Sequence, residues 1–491
     1  MELSRTRLAL TYDDILLLPG RSEILPSEAN LETRLTSNII LNIPILSAAM
    51  DTVTEAEMAI ALAQEGGMGV IHKNLSPTSQ AKHVRRVKRA ESGVIVDPVT
   101  LDIDAVIADA LELSQQEGVS GFPIMDSNKL AGMLTNRDYQ FEVDASTPVK
   151  ELMTPWERLI TAPPDTDLEE ALVLLRKHRL EKLPLVNAER HLIGLITVRD
   201  IHNAINYPNA CKDSSGRLRA GTAVGTGNDT ITRSGLLVEA GVDCLFIDTA
   251  HGHSVKVIET VSILRKEFPE VGIVAGNVVT ADATVDLIKA GAGGIKVGVG
   301  PGSICTTRVI AGVGCPQYTA VCECASAAAA YNVPVIADGG IKYSGDIVKA
   351  LAAGASSVMI GSLLAGISES PGETTIFKGR KYKIYRGMGS IGAMKRGSAD
   401  RYFQNDRTEK KYVPEGIEGM VPFKGPLVDY LNQLIGGLRQ GMGYVGSSTV
   451  EELPRIVKIV RITSAGLKES HAHDVIITKE APNYSSDGHA F

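Results

Sequence analysis

The 491 residues are 44% hydrophobic, enough apolar material for two or three domains with full-sized cores. A formal net charge of −7 argues against a basic nucleic-acid-binding body, though not against a basic pocket for a small phosphorylated ligand. No stretch approaches the roughly 18 uninterrupted apolar residues of a membrane span. Six cysteines without a CxxC pair or zinc-like His spacing read as reduced thiols of a cytoplasmic protein. The N-terminus places Asp13 and Asp14 before any long apolar run, which a signal peptide would not do.

Along the chain, apolar runs at 39–48 and 68–72 read as strands, each followed by a helical segment, at 54–64 and 79–90. The alternation then breaks from about 93 to 207, where an internal repeat appears. VSGFPIMDSNKLAGMLTNRD (Val119–Asp138) matches LEKLPLVNAERHLIGLITVRD (Leu180–Asp200), and Thr135 and Asp138 stand 62 residues before Thr197 and Asp200. Each copy reads helix, strand, turn, strand. The pattern resembles a tandem pair of CBS domains, at about 93–148 and 152–207. That resemblance implies an allosteric adenine or guanine nucleotide, with Thr135, Asp138, Thr197 and Asp200 as ribose contacts. An inserted spacer or assembly domain without ligand is the alternative.

Six further strands follow at 222–225, 244–249, 272–277, 295–298, 334–340 and 357–361, with helices such as 281–290 and 345–353 between them. The endings EGG, EAG, KAG and AAG put Gly where helix C-termini need it. Eight βα units predict an α/β fold, a (β/α)8 TIM barrel built from 1–92 and 208–491, in preference to a doubly wound sheet. After the eighth strand, 379–424 is polar, Gly-rich and charged, and reads as a long functional or disordered loop. The segment 427–440 reads as an amphipathic helix, and the tail from Thr463 as exposed.

The stretch GVGPGSICTTRVIAGVGCPQ (Gly298–Gln317) sets Cys305 among small residues that cannot pack a core. Gly300 and Gly302 allow a turn close to a ligand, and Ser303, Thr306 and Thr307 offer hydroxyls beside the sulfur. A nucleophilic cysteine is favoured over a small buried thiol. Strand ends in a barrel face the active site. Asp248 follows the fourth strand, Asn277 the fifth, the Cys305 loop the sixth, Asp338-Gly339-Gly340 the seventh and Gly361-Ser362 the eighth. Backbone N–H groups of the last two turns suit a phosphate, with Asp338 accepting from ribose hydroxyls. No GxGxxG follows a strand, so no dinucleotide is expected on a Rossmann unit.

On these residues the chain resembles the inosine-5′-monophosphate (IMP) dehydrogenases of the IMP dehydrogenase/GMP reductase family. The specific matches are SAAMDTVTE (Ser47–Glu55), GVGPGSICTTR, ADGGI (Ala337–Ile341), YRGMGS (Tyr385–Ser390) and Arg401-Tyr402. The resemblance implies NAD-dependent oxidation of IMP to xanthosine monophosphate, the committed step of guanine nucleotide synthesis. Cys305 forms a covalent intermediate, and the flap at 379–424 then brings Arg401 and Tyr402, with Thr307, to activate the hydrolytic water. Ser303, Asp338, Gly339, Gly340, Gly361, Ser362, Tyr385, Gly387, Met388, Gly389 and Glu415 would hold IMP. Asp248, Thr249, His251, Asn277, Gly298 and Gly300 would lie on the NAD side. A K⁺ site would use Gly300, Gly302 and Cys305 with Glu469, Ser470 and His471 of a neighbouring subunit. A homotetramer pairing into an octamer is implied, with no nucleic acid or membrane partner. Without the resemblance, Arg401 reads as a surface charge and His471 as an ordinary exposed histidine. A GMP reductase is expected to lack the insert and the Arg-Tyr dyad. A flavin-dependent barrel oxidoreductase would leave Cys305 unexplained, and a nucleotide-sensing scaffold would not need an intact Cys305, Thr307, Arg401 and Tyr402.

Overall fold

Eight parallel strands close into a barrel: β1 (Ile45–Ser47), β2 (Met68–Ile71), β3 (Gly221–Val224), β4 (Cys244–Asp248), β5 (Gly272–Val278), β6 (Gly294–Val297), β7 (Val335–Asp338) and β8 (Ser357–Ile360). The computed structural model describes residues 6–90, 95, 98–141, 144–404, 408–479 and 481–484. Each strand leads into a helix: α1 (Ala56–Gln64), α2 (Pro77–Ala90), α3 (Thr230–Glu239), α4 (Val255–Glu267), α5 (Ala281–Lys289), α6 (Gln317–Ala329), α7 (Ser344–Ala352) and α8 (Ser362–Ala365). Helices outside and side chains inside bury both faces of the sheet, which is why these strands read as continuous apolar runs. Gly66, Gly241, Gly291 and Gly354 all take positive φ just past helix ends, as the repeated Gly endings predict.

Contacts divide the chain into two compact units, one of Met1–Val87, Asn209–Cys211 and Arg219–Phe491, the other of Lys88–Pro208 and Lys212–Leu218. The first holds the barrel. The second has two apolar cores, one around Phe122, Ile124 and Leu134, the other around Leu183, Leu185 and Ile196. Both halves run helix, strand, turn, strand: Ile107–Glu117, Gly121–Asp126 and Lys129–Thr135, then Leu168–His178, Lys182–Val186 and Leu192–Thr197. The expected boundary at 92/93 lies outside the described residues.

The barrel interior is set by strand alternation. Cys244 and Phe246 of β4, Val274 of β5 and Ile336 of β7 point inward and share one core with Leu46, Met68, Val70, Ala223 and Met359. A period of two then carries the inward face to Asp248 and Asp338 at the strand ends, and to Lys296 of β6. Polar groups thus close the top of a dry core.

The stretch after β8 differs from the loop expected at 379–424. A three-stranded antiparallel sheet forms there from β9 (Thr374–Phe377), β10 (Arg380–Arg386) and β11 (Glu418–Pro422). Its first hairpin pairs Phe377 with Arg380 across Lys378 and Gly379, whose φ values are 49° and 75°. Two left-handed residues in a two-residue turn match the twist of the strands they join. Helix α9 runs Leu427–Val445, five residues beyond the predicted end. Its glycines let it approach α7 closely: a Cβ on Gly441 would lie 2.6 Å from Val348 Cγ2.

Phe246 is fully buried at the centre of the barrel. Phe246→Ala should cost about 3–5 kcal/mol, read as a lower midpoint in urea unfolding. A loss under about 1 kcal/mol would show that the interior is not close-packed.

Candidate active site

The mouth of the barrel is organised around one ammonium. Lys296 is 2% exposed, and its Nζ lies 2.6 Å from Asp248 Oδ1 and 2.6 Å from Asp338 Oδ2. It also donates to Asn277 Oδ1. A charged group can be this dry only when paired and hydrogen-bonded. Gly276 faces Lys296 in register, and a Cβ there would lie 2.8 Å from the lysine Cβ, so the bare backbone makes room. The register then shifts between Gly276 and Val278. That irregularity turns Asn277 inward, where its Nδ2 donates to Gly298 O at 2.7 Å and Asp338 Oδ2 at 2.9 Å. Sequence reading passed over Lys296. The signal was present, because a lysine inside the buried run GIKVG needs a counter-charge.

Asp248 uses its second oxygen for Arg401, whose guanidinium is 14% exposed. Arg401 is therefore not a surface charge. The Ala250 N–H also donates to Arg401 O at 3.0 Å, tying that residue to the barrel. Arg401 Nε is buried without a partner. Tyr402 packs against Gly389, where a Cβ would come within 2.8 Å of the ring. Burial pushes the Tyr402 hydroxyl up, against the opposing charge of Arg401.

Cys305 sits in the loop after β6, half-buried, with its Sγ 3.2 Å from Thr307 Oγ1. Backbone bonds fix this loop to the segment before β11: Thr306 N–H to Glu415 O at 2.9 Å and Ile417 N–H to Ile304 O at 3.0 Å. The Glu415 N–H continues to Gly389 O at 3.0 Å. Gly300 has φ +82°, the left-handed turn expected of it. Gly302 does not; a Cβ there would make only an ordinary 3.6 Å contact with Cys305.

Two adjoining lobes open above these groups. The first, with about 770 Å³ of empty space, is lined by Asp248, Asn277, Lys296, Cys305, Thr307, Arg401, Tyr402 and Glu415 with Gly298, Gly300, Gly387, Met388 and Gly389. The second, about 860 Å³, is lined by Ser303, Gly340, Gly361 and Ser362. Gly302, Asp338, Gly339 and Tyr385 face both. Gly361 caps α8 and its carbonyl accepts from the Leu364 and Ala365 N–H groups, while the N–H groups of Ser362 and Leu363 precede any intrahelical acceptor, so this lobe suits an anion. Met50 also faces both lobes, and sequence reading passed over it.

Some expected site residues lie elsewhere. Thr249 lines neither lobe; it is buried and its hydroxyl donates to Gly276 O at 2.9 Å. His251 is exposed and also lines neither. Glu469, Ser470 and His471 close the short helix Ser464–Glu469, and His471 packs against Tyr343 and Tyr484. In the second unit, Thr135 and Thr197 form capping boxes with Asp138 and Asp200 at helix starts. Their polar groups therefore have a local structural use.

Residues 9–473 match the family described as IMP dehydrogenase / GMP reductase domain. The chain belongs to that family. It is 59% identical over 477 residues to an inosine-5′-monophosphate dehydrogenase from Halalkalibacterium halodurans, covering 97% of this chain and 98% of the relative. It is 59% identical over 482 residues to one from Aquifex aeolicus, with the same coverage. A solved structure of a cysteine-to-alanine GMP reductase variant from Trypanosoma brucei, in complex with guanosine 5′-monophosphate, is 41% identical and superposes with a TM-score of 0.87. The match covers 96% of this chain and 99% of that one. The uncovered 4% is far shorter than the second unit, so a GMP reductase of this family need not lack the insert. Within the family the insert is therefore no criterion between the two activities.

A further buried ion pair supports the base of the flap sheet. Arg386 on β10 donates to Asp51 through Nε at 3.0 Å and a terminal nitrogen at 2.6 Å, and Asn74 adds a bond at 3.0 Å. Burial raises the Asp51 carboxyl, but Arg386 and Asn74 outweigh it and hold it below its ordinary value. A depressed folded-state value contributes stability that is present above the unfolded value, about 3.8, and is lost as pH falls through the folded one. The stability gap between the parent and Asp51→Asn should thus be widest near neutrality and shrink below about pH 4. Urea unfolding across that range measures it; a gap independent of pH would contradict the pairing.

Proposed function

We propose that the chain is an IMP dehydrogenase: Cys305 takes up IMP as a covalent intermediate, and Arg401 serves its hydrolysis. The observation that carries this reading is the joint position of Cys305, Thr307, Arg401 and Tyr402 around one lobe, with an anion-suited lobe beside it.

IMP lies with its phosphate at Ser303, Gly340, Gly361 and Ser362. Asp338 accepts from the ribose, and Gly339 and Tyr385 line the passage between the lobes. Gly387, Met388, Gly389 and Glu415 hold the base over Cys305. The Cys305 thiolate adds to purine C2. Asp248, Asn277, Gly298 and Gly300 would hold NAD, which would supply the acceptor for the hydride leaving C2. The residues fit that role, since Asp248, Asn277, Gly298 and Gly300 line the same lobe as Cys305. Arg401 then activates a water, with Tyr402 and Thr307 assisting. The water oxygen bonds to C2, its proton is released, and the C2–Sγ bond breaks to return the thiolate. The net change is IMP, NAD⁺ and water to xanthosine monophosphate, NADH and a proton. The unpartnered Arg401 Nε fits a group that orients water.

The carbonyls of Gly300, Gly302 and Cys305 would be this chain's share of a K⁺ site, which Glu469, Ser470 and His471 of a second copy in a homotetramer would complete. The second unit is a tandem CBS module (repeats about 93–148 and 152–207) that takes an adenine or guanine nucleotide near Thr135, Asp138, Thr197 and Asp200 and allows octamers. These assignments, and a cytoplasmic setting, follow from family resemblance. Among the described residues no helix is long and apolar enough to cross a membrane.

Purified protein mixed with IMP, NAD and K⁺ should show a steady rise in NADH absorbance that requires IMP. Cys305→Ala should bind IMP and form no NADH, while Arg401→Ala should slow hydrolysis more than hydride transfer. Turnover by the Cys305 variant would sink the assignment. Absence of NADH from the parent, with activity on GMP and NADPH instead, would make the chain a GMP reductase.

A further inference from the structure

A second buried ion pair lies one residue from Arg401. Lys73, in the loop after β2, pairs with Asp400, and each side chain is 11% exposed. Asp400 sits with Arg401 and Tyr402 on one 3₁₀ turn, Ser398–Tyr402. The pair rests on Gly225 at the end of β3, where a Cβ would lie 3.1 Å from Lys73 Nζ, so that strand end is bare where the pair packs. Among the described residues Lys73 is the only cation paired with Asp400, whose other oxygen is buried without a partner. The next residue repeats the connection, since Asn74 Nδ2 donates to Ala393 O at 3.2 Å. Neither Lys73 nor Asp400 lines the cleft. The loop after β2 therefore grips the flap at two points without touching the reacting groups.

We propose that Lys73 is a positioning residue that latches the Arg401-Tyr402 segment onto the barrel and so serves the hydrolytic half of the reaction alone. This rests on the dehydrogenase reading above. Arg401 reaches Asp248 only while its 3₁₀ turn is seated, and seating that turn buries Asp400. Without the ammonium, burial leaves an uncompensated carboxylate, and the unseated flap is favoured. Addition of Cys305 to IMP and loss of hydride use groups on β4–β8 together with Gly387, Met388, Gly389 and Glu415, and backbone bonds to the Cys305 loop, not the latch, hold that part of the flap.

The test is rapid mixing of Lys73→Met and Asp400→Asn with IMP, NAD and K⁺, following NADH. The first-turnover burst should keep its rate in both variants, while the steady rate falls about tenfold or more. Lys73→Arg should recover part of the loss. The double variant should be no slower than the slower single, because the two groups act as one pair. Equal slowing of burst and steady rate in both variants would overturn the latch in favour of a general structural role. Unchanged steady rates in both would overturn it outright. Should Lys73→Met not fold, Asp400→Asn, close to its parent in shape, decides the matter with the same two rates. A parent protein that makes no NADH at all would instead refute the dehydrogenase reading, a result distinct from either of these.

Discussion

Lys296 Nζ holds together two carboxylates that would otherwise repel one another at the mouth of a dry barrel. Asp338 belongs to the side where the anion-suited lobe begins, and Asp248 to the side where Arg401 arrives. In a low-dielectric site such charges are tolerable only as a set. The two lobes are thus electrostatically one object. Removing the lysine would leave buried carboxylates without compensation, at a cost of about 3–5 kcal/mol.

The loops are positioned differently. Backbone hydrogen bonds fasten the Cys305 loop to residues 415–417, and those to Gly389. Because backbone groups do this, the nucleophile's surroundings depend on chain path more than on particular side chains. The segment carrying Arg401 relies instead on charge, through Asp248 on one side of it and Lys73 on the other. Contacts of that kind can be made and broken as the segment seats. A reaction with two chemical stages in one cleft needs one part of the site fixed and another able to move.

Much of this was legible in the sequence. All eight barrel strands fall where apolar runs place them, because strands buried on both faces cannot hide their composition. The strand-end residues Asp248, Asn277 and Asp338 were likewise visible, since a barrel aims its strand ends at one face. Lys296 was missed because one lysine in an apolar run names no partner; Asp248 and Asp338 lie on other strands. Lys73 and Asp400 are 327 positions apart, and no local pattern joins them. The flap sheet was missed for another reason. The alternation of β10 (RKYKIYR) is largely polar, and its hairpin turn, Lys378-Gly379, lies at the edge of the stretch taken as loop. Thr249 and His251 were placed on the dinucleotide side by position in the chain, but one faces a backbone carbonyl and the other solvent.

The most direct test of this account is the time course of NADH formation by folded Lys296→Met protein mixed with IMP, NAD and K⁺. If the ammonium organises both lobes, the first-turnover burst and the steady rate should fall together, each by about tenfold or more. A burst at the parent's rate would show that Asp338 and the substrate side do not depend on Lys296, and would contradict the account.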